Sequence, residues 1–134
     1  MNAPSPAPRR ALDATALRRT LRRLNAATEA PWLHGEVARR MAERLAVIRT
    51  QPMVVADWGA FLGASHAPLR AAYPRAQWLA VEHDDARRAA TAQSLAPPWW
   101  ALGRRRDAAC AAADLAPGQA QLLWSNMGLH FAAD

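Results

Sequence analysis

Apolar residues in the first fifty positions recur with the period of an α-helix. Three leucines are spaced four and three residues apart, at Leu17, Leu21 and Leu24. A second apolar series, flanked by charged residues, comprises Val37, Met41, Leu45 and Ile48. Residues at this spacing share one face of a helix. We therefore predict helices over 13–26 and 33–49, with Pro52 ending the second.

The second half of the chain changes to short apolar runs bounded by turn residues. Such runs are typical of strands buried in a parallel sheet, and they predict strands at 53–57, 77–82 and 121–126. A further strand, third in chain order, is expected to begin within 99–102, and an alanine-rich loop then leads to the last strand.

The segments between these strands have helical signals. Ser65 is placed to cap a helix that ends near Tyr73, and Asp84 and Asp85 open an Arg- and Ala-rich helix with acids at its dipole-favoured end. The order strand, helix, strand, helix implies an α/β fold with a parallel sheet and right-handed crossovers. We predict that the second strand lies on one side of the first and the fourth on the other.

Charge is distributed unevenly along the chain. All 17 basic residues are arginine, and ten of them precede residue 51 together with only four acids, so the net charge of +6 belongs to this N-terminal segment. A basic segment of this kind indicates an anionic partner such as a nucleic acid, a lipid surface or an acidic carrier protein, although compositional bias alone also produces it. Neither aromatic–basic interleaving nor zinc-finger spacing supports nucleic-acid binding.

Composition excludes several classes of protein. The 134 residues, 51% of them hydrophobic, suffice for one core of ordinary size. Cys110 stands alone, which excludes a disulfide framework and fits a reducing, cytoplasmic compartment. No apolar run approaches the roughly 20 residues that span a bilayer. The four histidines lack metal-ligand spacing, so no metal site is expected.

Candidate ligand-binding residues follow the predicted strands. In open parallel sheets, ligands bind outside the carboxyl ends of the strands. The first strand is followed by Asp57-Trp58-Gly59, the second by Glu82-His83 and the fourth by Ser125-Asn126. An acid in the position of Glu82 can accept hydrogen bonds from ribose hydroxyls, and the alternative is an exposed acid at a helix start.

The segment Val54-Val55-Ala56-Asp57-Trp58-Gly59-Ala60-Phe61-Leu62-Gly63 resembles the glycine-rich first motif of class I S-adenosylmethionine-dependent methyltransferases. Asp57, Gly59 and Gly63 match that motif, and Phe61 replaces its middle glycine. The resemblance implies that S-adenosylmethionine is the cofactor, with Gly59, Ala60 and Gly63 in its binding loop. A phenylalanine in place of the middle glycine either obstructs the methionine end of the cofactor or points outward and leaves the loop open.

Two further segments resemble the malonyl-carrier-protein O-methyltransferases of biotin synthesis and related mitochondrial complex I assembly factors. They are Trp32 to Ile48 and Leu122 to Phe131. The resemblance implies that Ser125 and Asn126 line the cofactor and substrate cleft. It also implies that Asp107 contacts the adenine, that the N-terminal helices form a lid, and that an acyl carrier protein is a partner.

The related methyltransferases have a seven-stranded sheet, whereas this chain stops after the fourth predicted strand. The expected organisation is a disordered tail (1–11), a helical lid segment (12–50) and a Rossmann-like methyltransferase domain truncated after about four strands (51–134). Three functions remain open: methylation of the free carboxylate of a malonyl thioester, a non-catalytic truncated or degenerate remnant that binds a partner protein, and a basic module that binds a carrier protein or nucleic acid.

Overall fold

The computed structural model describes residues 13–97, Trp100 and residues 107–131. The predicted tail at 1–11 lies outside the described residues. The strand expected within 99–102 also lies outside them apart from Trp100, which is in a turn.

Within the described residues, helices and strands occur in the order expected of an α/β fold. The helices are α1 (Ala14–Asn25), α2 (Trp32–Glu43), α3 (Ala60–Gly63), α4 (His66–Ala72) and α5 (Asp85–Leu95). The strands are β1 (Val54–Trp58), β2 (Gln77–Val81), β3 (Ala108–Cys110) and β4 (Leu122–Ser125). The second predicted helix is shorter than expected, because the chain tightens into a 3₁₀ turn at Arg44–Val47.

The four strands form one parallel sheet in the order β3-β2-β1-β4. This arrangement confirms the predicted Rossmann-like α/β class and the two preceding helices, and it confirms that the second and fourth strands flank the first. In the register, Trp58 at the end of β1 lies beside Val81 of β2 and Ser125 of β4. The carboxyl ends of these three strands therefore meet at one edge.

The third strand in chain order is a correction to the sequence prediction. It lies at Ala108–Cys110, inside the stretch that was expected to be an alanine-rich loop. Three small residues have no apolar alternation that marks a strand. Their conformation is fixed by pairing with β2, where Ala108 lies beside Leu79 and Cys110 beside Val81.

The core lies against the face of the sheet that carries Val55, Trp78 and Trp124. Leu69 of α4 and Leu45 after α2 pack onto this face and are buried. Burial of these side chains stabilises the sheet at roughly 25 cal/mol per Å² of apolar surface removed from water. The packing holds the carboxyl edge as a fixed platform.

None of the described helices is long and apolar enough to cross a membrane.

Candidate functional site

A cavity of about 1280 Å³ separates α1 from the carboxyl edge of the sheet. Its floor includes Trp58, Gly59, Glu82 and His83, and the first residues of α5 extend it. Met127, Gly128 and Phe131 close the side next to β4. The cavity therefore lies where the strand ends were predicted to bind a ligand, and α1 covers it.

The loop after β1 depends on two glycines with different roles. Gly59 has a φ of +71°, a left-handed conformation that glycine adopts without steric cost, and no atom lies within 4 Å of the position a Cβ would take. Gly63 is a close-packing position, since a Cβ there would lie 3.0 Å from Ser65 Oγ and 3.4 Å from the Asn126 carbonyl oxygen. The backbone at Gly59 is thus left open beside the cavity, while Gly63 joins the loop to the end of β4.

Glu82 lies on the cavity floor and also supports the loop. The residue is 2% exposed, and its Oε1 accepts hydrogen bonds from the Phe61 amide at 2.9 Å and the Thr91 hydroxyl at 3.4 Å. Burial raises the pKa of Glu82, and the hydrogen bond from the Phe61 amide opposes that rise. The structure therefore places this carboxyl where it was predicted, and it gives the group a structural contact that the sequence pattern did not indicate.

Asp57 lies beneath the loop and not among the described residues that line the cavity. Its side chain is fully buried, with Oδ2 accepting a hydrogen bond from Trp78 Nε1 at 3.1 Å. Oδ1 is buried with no hydrogen-bond partner in the described structure. Burial raises the pKa of Asp57 to about 7, the Trp78 hydrogen bond opposes the rise and the charge of Glu82 adds to it.

His83 and Trp58 form an aromatic corner of the cavity. Their ring centroids are 4.7 Å apart with planes tilted by 60°. Burial lowers the pKa of His83, which favours the neutral imidazole near pH 7. The pair offers two uncharged aromatic faces, inclined to each other, beside the carboxyl of Glu82.

Ser125 and Asn126 reach the carboxyl edge, but they are not among the described residues that line the cavity. The Asn126 amide is buried and donates to the carbonyl oxygens of His34 and Gly63, both at 2.7 Å. The backbone then turns through Met127, whose φ is +57°. Asn126 therefore ties β4 to α2 and the loop, and the next residues face the cavity instead.

Asp107 lies at the amino ends of the strands, because it directly precedes β3. The other candidate residues follow their strands and lie at the carboxyl ends. Its carboxylate accepts hydrogen bonds from the Trp78 amide at 2.9 Å and from the Arg70 guanidinium. Burial alone would raise the pKa of Asp107, but these hydrogen bonds outweigh it and lower the pKa. Asp107 therefore anchors β3 and is not among the described residues that line the cavity, and the adenine contact implied by the resemblance stays a prediction.

Phe61 points away from the cavity and is not among the described residues lining it. The guanidinium carbon of Arg87 lies 3.5 Å from the centroid of its ring. The ring of Phe61 therefore packs against Arg87 of α5, and the structure does not place it on the cavity lining. Sequence reasoning did not foresee Arg87 as its partner, because contacts between the loop and α5 leave no local pattern.

The sequence pattern also gave no role to the individual arginines of α1. The cavity wall on α1 includes Arg18, Arg19, Arg22 and Arg23. Within the described part of the chain, none of these four groups forms an ion pair. They face a floor that contains Glu82, Asp84 and Asp85. The sequence shows these residues as two Arg-Arg pairs four residues apart. Only the packing of α1 shows that they line the cavity.

Residues 13–97, 100 and 107–131 contain no cluster of three or more His, Cys, Asp or Glu side chains that could hold a metal ion.

Ser65, expected to cap α4, occupies the N-cap position without a side-chain capping bond. Its hydroxyl instead donates to the Gly63 carbonyl and accepts from Trp124 Nε1.

Comparison of the chain with known proteins found no matching family model, no matching curated protein and no matching solved structure. The methyltransferase resemblance therefore rests on the motif residues of the sequence.

Proposed function

We propose that the cavity binds S-adenosylmethionine and that the chain acts as a methyltransferase on an anionic acceptor. The observation that carries the proposal is the juxtaposition of Gly59 and Glu82 on the cavity floor. An open glycine backbone after the first strand and a carboxyl after the second are the two groups that a nucleoside with ribose hydroxyls requires. The cavity is also large enough for a ligand of this size.

The fit of the cofactor is supported by the chain's own residues. Gly59 presents backbone without a side chain, and Glu82 presents a carboxyl that hydroxyl donors can reach from the cavity. Trp58 and His83 offer an aromatic surface for a planar base. When bound, S-adenosylmethionine supplies a methyl group on a positively charged sulfur, and the acidic floor favours that positive charge.

The positive charge of α1 favours the proposal that the methyl acceptor is an anion. Four unpaired guanidinium groups on α1 attract and orient a carboxylate opposite the acidic floor. A carboxylate is already a nucleophile, so its methylation needs positioning more than acid–base catalysis. We extend the proposal to a malonyl thioester on an acyl carrier protein, whose acidic surface the arginines would attract, and to a cytoplasmic location, which suits the free thiol of Cys110.

A non-catalytic binding module is the second candidate. It is favoured by Asn126, whose amide is committed to backbone carbonyls of the fold instead of lining the cavity. A remnant of this kind would retain the sheet without a functional cofactor site.

Calorimetric titration of the full chain with S-adenosylmethionine tests the proposal. We expect binding, and we expect Glu82→Ala to weaken it by about 1–3 kcal/mol, because ribose hydroxyls lose their acceptor. Glu82→Gln retains an oxygen that accepts the hydrogen bond from the Phe61 amide. This variant therefore distinguishes the role of Glu82 in supporting the loop from its contact with the ligand. Circular dichroism checks the fold of both variants.

Absence of binding by the folded parent protein would overturn the cofactor assignment and favour the non-catalytic candidate. Binding with transfer of a labelled methyl group to a malonyl thioester would support the full proposal. Binding without transfer would overturn the acceptor assignment alone.

A further inference from the structure

Arg87 on α5 contacts two other parts of the molecule at once. Its Nε donates to the carbonyl oxygen of Asn25 at 2.9 Å, and its Nη2 donates to Asn25 and to the carbonyl oxygen of Ala27 at 2.7 Å. Its guanidinium plane also covers the ring of Phe61 in the loop after β1. One side chain therefore joins the end of α1, the start of α5 and the glycine loop.

Arg87 supplies hydrogen-bond donors to carbonyl groups at the carboxyl end of α1. The last carbonyl groups of a helix have no partner within it, and a cation there satisfies them and complements the helix dipole. No residue of α1 is fully buried, so apolar packing holds this helix weakly. The bonds from Arg87 therefore add a specific polar attachment to a helix whose leucines are only half-buried.

The contact with Phe61 orients the guanidinium. A planar guanidinium on an aromatic face gains cation–π attraction and loses rotamer freedom. The amide of the same Phe61 donates to Glu82, so the platform under Arg87 is itself tied to the cavity floor. This series of contacts connects the lid to the carboxyl that the proposed function uses.

We propose that Arg87, seated on Phe61, is a latch that holds α1 closed over the cavity and controls access to it. On this view Phe61 replaces the middle glycine of the motif because its ring supports the latch. Arg87 is a positioning residue: it touches the lid and the loop and does not line the cavity. The inference does not depend on which ligand the cavity binds.

Hydrogen exchange of the ligand-free full chain, read by mass spectrometry, tests the latch. Arg87→Ala should raise the exchange rates of α1 amides on the order of tenfold, because lid opening no longer breaks the carbonyl bonds. Amides of β1 and β2 should keep their protection. Arg88→Ala is the matched control, since Arg88 contacts Asp85 and the Glu82 carbonyl and no described residue of α1.

A second readout measures access directly. In a Cys110→Ser background, Ala112→Cys places a thiol on the cavity lining, and a disulfide reagent reports its labelling rate. Arg87→Ala should speed labelling by about the same factor as it speeds α1 exchange, because one opening event exposes both. A purely local role for Arg87 would leave the labelling rate unchanged.

Two milder variants complete the test. Phe61→Leu removes the aromatic face and should raise α1 exchange less than Arg87→Ala, and the double variant should add nothing further because Phe61 acts through Arg87. Arg87→Lys retains the charge without the paired donors and should be intermediate.

Unchanged α1 exchange in folded Arg87→Ala would overturn the latch. If that variant loses β1 and β2 protection as well, Arg87→Lys decides: parent-like α1 exchange would overturn the inference, and selective loosening of α1 would support it. A latch confirmed without S-adenosylmethionine binding would leave the proposed function alone in error.

Discussion

Individual residues at the carboxyl edge divide into those that face the cavity and those whose polar groups are used inside the fold. Glu82 does both, because it lines the cavity and accepts the Phe61 amide. Asn126 belongs to the second group. The distinction matters for mutagenesis, since a change at Asn126 would disturb packing before it affected any ligand.

Gly63 gives a test of packing at the scale of one atom. Gly63→Ala should destabilise the fold by about 1–3 kcal/mol, because the added methyl group meets Ser65 Oγ and the Asn126 backbone. Gly35→Ala is the matched control: it lies within α2, and its Cβ would meet only Ala64 at 3.9 Å. That variant should be stabilised by up to about 1 kcal/mol through helix propensity. Urea unfolding measures both, and equal effects at the two positions would contradict this account.

Two elements with little apolar packing are β3 and α1, since neither contains a fully buried residue. β3 is three residues long, and none of them is fully buried. It is attached by pairing with β2 and by the polar contacts of Asp107, just as α1 is attached by Arg87. Short or exposed elements of this kind depend on specific polar anchors, since little apolar surface is available to hold them.

Asp107→Ala should lower the free energy of unfolding by about 2 kcal/mol, since it leaves the Trp78 amide and the Arg70 guanidinium without their acceptor. Asp107→Asn keeps an oxygen for the Trp78 amide and should cost less. Neither variant should change affinity for S-adenosylmethionine, in contrast to Glu82→Ala. Weakened cofactor binding by a folded Asp107 variant would restore the adenine role that the geometry argues against.

At the scale of the whole molecule, the cavity has a basic wall on α1 and an acidic floor. Four of the ten arginines in residues 1–50 lie on the α1 wall of the cavity, and carboxyl groups lie at the end of β2 and the start of α5. A cavity with opposite charges on opposite walls suits a ligand pair of opposite charge. Buried Asp57 beneath the same edge makes the stability of the whole fold depend on pH.

Asp57 should make the fold less stable as pH rises. Its pKa in the folded protein is about 7 because of burial, whereas an unfolded chain has an ordinary aspartate. Its contribution is therefore fully favourable below about pH 4 and is lost as pH rises through 7. Asp57→Asn stays neutral, so between pH 4 and pH 8 it should lose less stability than the parent, by on the order of 2–4 kcal/mol. Parallel unfolding curves across this range would show that Asp57 does not titrate in this way.

The sequence by itself determined the α/β class, the two leading helices, and the positions of β1, β2 and β4. Periodicity of 3.6 and compact apolar runs are local signals, because each residue's burial follows from its own element. The same local logic placed Glu82 and Gly59 at the carboxyl edge, since parallel strands end together.

Only the tertiary structure decided where β3 lies, which way Phe61 points and which residues the lid presents. β3 forms because it pairs with β2 and because Asp107 anchors it. The sequence of three small residues at Ala108–Cys110 indicates neither contact. The ring of Phe61 contacts Arg87, which lies 26 positions further along the chain. Asp107 lies at the amino end of β3 because that strand follows it in the chain, whereas the third strand was expected to precede it. Contacts between elements carry this information, and no single segment of sequence contains both partners.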